Sequence, residues 1–181
     1  MNVDINLTNV VLKTERLTLR PWQLDDLDDF YEGAKVDGVG QMCGWTPHKN
    51  KEESLMILNR FIEHKKTFAI VYQGHAIGSL GIEKYKEDEL PEFHDKKGRE
   101  LGYWLNKDYW GQGLMPEAVK RVIQYCFEEL KLDFLACGHF VENDRSRRVQ
   151  EKCGFKHYKF VKFETQTGEI KDSWVSILEN N

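Results

Sequence analysis

Two glycines one residue apart, Gly111 and Gly113, stand just ahead of Pro116 and Glu117 in the stretch R-E-L-G-Y-W-L-N-K-D-Y-W-G-Q-G-L-M-P-E-A-V, Arg99–Val119. Glycine permits a sharp turn or close backbone approach to a ligand. Proline suits the first turn of a helix, and glutamate suits its positive end. The stretch therefore reads as a strand over Glu100–Leu105, a tight loop over Asn106–Gly113 and the start of a helix. Such a start presents unpaired N–H donors, and the chemistry they serve is the binding of an anion such as phosphate or pyrophosphate. An ordinary strand-to-helix turn would account for the same two glycines. Two other cradles are excluded. There is no G-x-x-x-x-G-K-[ST], and the third glycine of G-x-G-x-x-G would fall on Pro116.

The thiols offer less. Cys43, Cys126, Cys137 and Cys153 show no paired spacing, and three of them sit in apolar or helical contexts where a thiol packs as a small hydrophobe. His139 follows Cys137 as C-x-H, but no second pair completes a zinc site, so no metal is expected. A reduced, cytoplasmic protein is the simplest expectation.

The elements that must position the loop follow from periodicity. E-R-L-T-L-R, Glu15–Arg20, alternates as a half-buried strand ended by Pro21. A short helix from Asp25 carries Leu24, Leu27, Phe30, Tyr31 and Ala34 at helical spacing. Gly38–Gly44 is loop, followed by a helix over about Lys51–Lys65 with Leu55, Leu58, Phe61 and Ile62 as its stripe. Trp45, between the two helices, either lines a pocket or packs beneath the loop. T-F-A-I-V-Y-Q and A-I-G-S-L-G-I-E, split by G-H, make a hairpin. Lys84–Gly98, charged and mixed, reads as a long exposed loop. Pro116–Leu130 is the clearest helix, with Ala118, Val119, Val122, Ile123, Cys126, Phe127 and Leu130 on one face. F-L-A-C-G-H-F-V is a buried strand, and N-D-R-S-R-R-V-Q-E-K-C is a helix capped by Asn143 or Asp144 and stopped by Gly154. Phe155–Phe163 and Ile170–Leu178 close the chain as a hairpin. The order β-α-α-β-β-β-α-β-α-β-β predicts an α/β (α+β) protein, one domain over residues 1–181, with a mixed sheet and helices on its faces.

Composition narrows the partners. The 181 residues are 40% hydrophobic and 31% charged, ordinary for a globular chain. A net charge of -4 argues against a nucleic-acid binder. No apolar run approaches the roughly 20 residues of a membrane helix. The start, M-N-V-D-I-N-L-T, lacks the basic-then-apolar order of a signal peptide.

With these residues in view, the chain resembles the GNAT acyltransferases, and within them the bacterial ribosomal-protein N-terminal acetyltransferases of RimJ/RimL type. G-Y-W-L-N-K-D-Y-W-G-Q-G-L-M-P-E-A resembles that branch's acetyl-CoA pyrophosphate loop. N-D-R-S-R-R-V-Q-E-K-C-G-F, Asn143–Phe155, resembles its N-x-x-S…G-F segment, and L-T-L-R-P-W its first strand. The resemblance implies a mostly antiparallel central sheet, acetyl-CoA as cosubstrate and direct transfer of acetyl to an amine. It implies that the N–H groups of Gly111, Gln112, Gly113, Leu114 and Met115 bind the pyrophosphate. The backbone of Trp104–Leu105 would pair with the pantetheine arm as an added strand, at a splayed gap beside Phe134–Val141. Asn143 is implied as helix cap and CoA contact. Ser146 is implied as CoA contact and as proton donor to the thiolate, or is a plain first-turn serine. Glu164 is the implied base, with Glu100 as its rival. Arg145, Arg147, Arg148 and Lys152 either meet the adenosine 3′-phosphate or form a solvated face. The pocket floor is expected from the loop around Trp45, helix Lys51–Lys65 and the closing hairpin. Two departures stand out. Trp110 occupies the loop's usual Q/R position, and Gln150 occupies the place of the tyrosine that serves many members as general acid. The acceptor is left open between a protein N-terminus and a small amine such as a polyamine or aminoglycoside. A CoA-binding module without catalysis is the further alternative. Homodimers are frequent among relatives.

Overall fold

The structure is a computed structural model and describes residues Met1–Asn181. In chain order the elements are β1 (Leu12–Lys13), β2 (Leu17–Pro21), α1 (Leu27–Ala34), α2 (Lys51–His64), β3 (Thr67–Tyr72), β4 (His75–Glu83), β5 (Gly98–Leu105), α3 (Leu114–Glu128), β6 (Phe134–Phe140), α4 (Asp144–Lys152), β7 (Lys156–Glu164) and β8 (Ile170–Glu179). One eight-stranded sheet runs β1-β2-β3-β4-β5-β6-β8-β7. Every pairing is antiparallel except β5 with β6. The mixed, mostly antiparallel sheet is thus as expected.

Strand alternation sends each strand's side chains to two layers. On β3, Phe68 and Ile70 join the main core beneath α3, while Ala69 joins a second cluster with Trp22, Phe30, Leu58 and Trp104 beneath α1 and α2. Helices therefore cover both faces. The β3–β4 turn is Gln73–Gly74, both at positive φ (50° and 83°), as a two-residue hairpin turn requires. That is one residue earlier than the sequence suggests, and His75 joins the strand. No helix is long and apolar enough to cross a membrane.

Three expectations need correction. The two-residue strand β1 is too short to carry a periodic signal. Helix α3 begins at Leu114, not Pro116, because Gly113 turns left-handed there and serves as its N-cap; Leu114 and Met115 are buried first-turn residues. The segment 84–98 is not a purely solvated loop. Its Tyr85, Leu90 and Phe93 are buried and form a third cluster with Phe134, Ala136, Val175 and Ile177. Phe93 and Tyr85 both pack on the Phe134 ring, with centroids 4.5 and 5.0 Å away. Three apolar residues spaced irregularly among charges show no period, so the sequence pattern conceals them.

Candidate active site

Strands β5 and β6 pair only from Gly98↔Phe134 to Leu101↔Cys137. Beyond that point Gly102–Leu105 stays with β4 and Gly138–Phe140 stays with β8. The sheet therefore forks. A cavity of about 500 Å³ occupies the fork and runs to the N-terminus of α3. Along β5 the polar backbone groups alternate between the neighbouring strand and the gap. The Trp104 carbonyl faces β4, since a Cβ built on Gly78 would lie 2.4 Å from it. The gap-facing groups are then those of Tyr103 and Leu105. The Tyr103 carbonyl meets the Cys43 thiol at 3.6 Å, and the Leu105 carbonyl accepts the Trp110 indole N–H at 2.9 Å. Trp110, in the usual Q/R position, thus anchors the loop to the strand. Free for an added strand are the N–H groups of Tyr103 and Leu105, while Trp104 contributes its ring to the wall.

At the loop end, Gly111 and Gly113 both have φ of 74°, a region that disfavours side chains. None of the N–H groups of Gly111 to Met115 donates to an acceptor within the chain. The loop is held from behind: Arg16 donates to the Gln112 carbonyl (2.9 Å) and to Glu117 (2.7 Å), and Thr14 also donates to Glu117. Arg145 stacks over Trp110 at 4.2 Å. Arg145, Arg148 and Lys152 line the cavity, whereas Arg147 is tied to Asp144 and Glu151 on the outer face of α4. Unpaired N–H groups, a helix N-terminus and three cations make a fitting cradle for a diphosphate.

The reactive groups gather at the fork. Glu100 and Trp104 point toward the α1/α2 layer, and Tyr103 toward the α3/α4 layer, by the alternation of β5. The Glu100 carboxylate lies beside Gly138, across the gap: a Cβ there would be 3.5 Å from it. Burial in the cavity wall pushes its pKa up to about 7, Glu89 adds to the rise, and Lys86 opposes it. Glu164 sits exposed at the end of β7 and does not line the cavity. Asn143 is the α4 cap: its side-chain Oδ1 accepts the Ser146 N–H (3.1 Å) and its side-chain Nδ2 donates to the Met42 carbonyl (3.2 Å). That bond ties α4 to the turn at 40–43. The Ser146 hydroxyl shares a hydrogen bond with the Tyr103 phenol (3.1 Å) and accepts one from Gln150 (3.4 Å). Gln150 is buried; its amide also donates to the Gly138 carbonyl (3.1 Å), and its oxygen meets His139 Nδ1 (3.0 Å). Burial holds the Tyr103 phenol well above its ordinary pKa, so it keeps its proton at neutral pH.

Sequence reasoning missed Tyr103, although it lies within the G-Y-W motif and alternates to the α3/α4 face, where it lines the cavity. It also missed Lys86 and Glu89, which line the cavity from segment 84–98 in place of α2. Trp45 packs on Trp104 (5.8 Å) against the second cluster rather than lining the cavity; its neighbours Val39, Met42 and Cys43 do that. All four cysteines are free. Burial raises every thiol, Cys43 and Cys126 to about 12 and Cys153 to about 11, so none offers a thiolate near neutrality.

The comparisons with known proteins decide the family. The profile described as "Acetyltransferase (GNAT) domain" matches residues 16–156. The chain belongs to the GNAT acetyltransferase family. It is 43% identical over 86 residues to YdaF of Bacillus subtilis, provisionally named a ribosomal N-acetyltransferase; the match covers 48% of this chain and 43% of that relative, less than half its length. A GNAT-family acetyltransferase structure from Bacillus anthracis superposes with a TM-score of 0.81 at 22% identity, over 94% of this chain and 98% of the other. The microcin C7 self-immunity acetyltransferase MccE, solved with acetyl-CoA and AMP, superposes at 0.78 with 20% identity, over 98% and 100%. GNAT acetyltransferases use acetyl-CoA, and the fork and its loop are the parts of this fold suited to it.

Proposed function

We propose that this acetyltransferase transfers the acetyl group of acetyl-CoA directly to a protein N-terminal α-amino group, with Glu100 as general base and the Tyr103–Ser146 hydroxyl pair as proton source for the departing thiolate. Acetyl-CoA supplies a thioester activated for attack by an amine. The N–H groups of Gly111 to Met115, with Arg145, Arg148 and Lys152, would hold its phosphates. The gap-facing N–H groups of Tyr103 and Leu105 would align its arm.

The observation that carries the reading is the Glu100 carboxylate at the fork with its pKa pushed to about 7. A base works best when its pKa is near the operating pH. An α-amino group, at about 7.7–8.0, lies close to that value, whereas a lysine side chain lies at about 10.4. Proton transfer from the ammonium to Glu100 is therefore nearly balanced for an N-terminus and steeply uphill for a lysine. Alternation of β5 puts the base on one face of the sheet and the phenol on the other. The amine thus sheds its proton on the α1/α2 side, and the thiolate collects one on the α3/α4 side. Gln150 does not donate acidic protons; it positions Ser146. Similarity to YdaF, named as a ribosomal N-acetyltransferase, supports a macromolecular acceptor over a small amine.

The test is acetylation of a set of unstructured peptides with free or blocked N-termini, read across pH 5.5–9. The expectation is product on free α-amines only, with kcat/KM rising through an apparent pKa of about 7. Equal labelling of blocked, lysine-containing peptides would overturn it.

A further inference from the structure

We propose that the acceptor subsite selects an α-amine whose carbon carries an apolar side chain. This rests on the reading of Glu100 as the base, since that carboxylate marks where the amine must stand. Around it, on the same face of the sheet, the wall is built from Met42, Phe140, Val161, Phe163 and Val175. The polar groups among these residues are already committed. The Ser173 hydroxyl donates to the His139 carbonyl (2.8 Å), and the Cys43 thiol to the Tyr103 carbonyl (3.6 Å). The Asn143 side-chain amide donates to the Met42 carbonyl (3.2 Å) and its oxygen accepts the Ser146 N–H (3.1 Å), and the remaining polar groups on this face are charged. Glu89 is paired with Lys86 (2.8 Å), whose ammonium also lies 5.6 Å over the Phe163 ring.

An acceptor side chain entering this wall therefore finds carbon and no spare neutral hydrogen-bonding partner. A serine or aspartate side chain would surrender water without replacement, which is costly. A leucine or methionine side chain would gain by leaving water. A polycation fares worse still: Lys86 stands at the acceptor end and Arg145, Arg148 and Lys152 stand at the other, against the two carboxylates Glu89 and Glu100. The shared chemistry, an α-amine beside an apolar side chain, occurs both at a chain N-terminus and in a free amino acid.

The experiment uses the full chain with acetyl-CoA and hexapeptides identical except at the first residue: Leu, Met, Ala, Ser or Asp. Free leucine and spermidine are the two further arms. Apolar pockets discriminate by about tenfold or more per methylene-sized difference. Leu and Met peptides should exceed Ser and Asp peptides at least tenfold in kcat/KM, and spermidine should trail both. Free leucine matching the Leu peptide would assign the free amino acid as the source; free leucine trailing it would assign a chain N-terminus. The variant Phe163→Ala should lower kcat/KM for the Leu peptide more than for the Ala peptide, erasing most of the Leu-over-Ala preference. A merely structural role for Phe163 would lower both alike and would overturn its place in selection. Equal rates for Leu and Ser peptides, or a preference for spermidine, would overturn the subsite and leave the acetyltransferase intact. Product on no amine, with acetyl-CoA bound, would overturn both readings.

Discussion

The two ends of the cavity are made of different material. The loop end is backbone: consecutive N–H groups from Gly111 to Met115, shaped by two glycines at positive φ. The fork end is side chain, with Lys86 and Glu89 from segment 84–98, Glu100 and Tyr103 from β5, and Ser146 from α4. A backbone site tolerates many sequences so long as its glycines stay. A side-chain site has a function for each residue and an environment that tunes it. The first end suits a phosphate-bearing group, and the second suits a reacting centre.

The largest expected effect breaks the loop end. Gly113→Glu places a side chain at φ 74° and an anion against the diphosphate cradle. Titration calorimetry should show acetyl-CoA affinity lost in a protein that remains folded; unchanged affinity would remove the loop from the binding site. Breaking the fork end should do the opposite. Glu100→Gln should lower kcat/KM by about 10²- to 10⁴-fold above pH 7 and remove the rise through pH 7, while acetyl-CoA affinity holds. Smaller losses, about tenfold or more in kcat, are expected for Tyr103→Phe and for Ser146→Ala, with the double variant little worse than either, because the two hydroxyls share one hydrogen bond. Fully additive losses would separate their roles. Glu164→Gln, outside the cavity, should change kcat/KM less than about twofold, and a flattened pH profile in that variant would return the base to the closing hairpin.

Stability sharpens the same contrast. The folded pKa of Glu100 is raised from 4.5 to about 7, so the folded state holds its proton more tightly than the unfolded chain. Its favourable contribution is complete below pH 4.5 and is lost as pH rises through 7. Thermal melts should therefore show the wild type losing Tm relative to Glu100→Gln between pH 5 and 8.

This contrast also explains what could be read from the chain before its structure. The element order was legible because α3, β3 and β6 bury regular stripes, and those stripes are a matter of sequence spacing. The loop was legible for the same local reason: glycine, glycine and proline within six residues constrain one stretch of backbone. The fork was not. Glu100 and Glu164 are both glutamates within strands, and only tertiary placement decides that one faces a desolvated cavity and the other faces solvent. Lys86 and Glu89 reach the cavity because Tyr85, Leu90 and Phe93 dock on Phe134, far along the chain, in a segment whose charges mask its anchors. Gln150 reads as a missing acid in the sequence, while in the fold it is a bracket for Ser146, with the phenol arriving from another element.

The short ladder between β5 and β6 has a mechanical consequence. The strands β1–β5 and β6–β8 are two plates sewn together by one seam, Gly98–Leu101 against Phe134–Cys137, and left unsewn above it. A molecule lodged in the opening touches both plates and lengthens the seam. Saturating acetyl-CoA at about 100 times its Kd would add about 2.7 kcal/mol against unfolding. That gain should appear first as slowed hydrogen exchange at Tyr103 and Leu105, where the upper plate edges otherwise have nothing to grip.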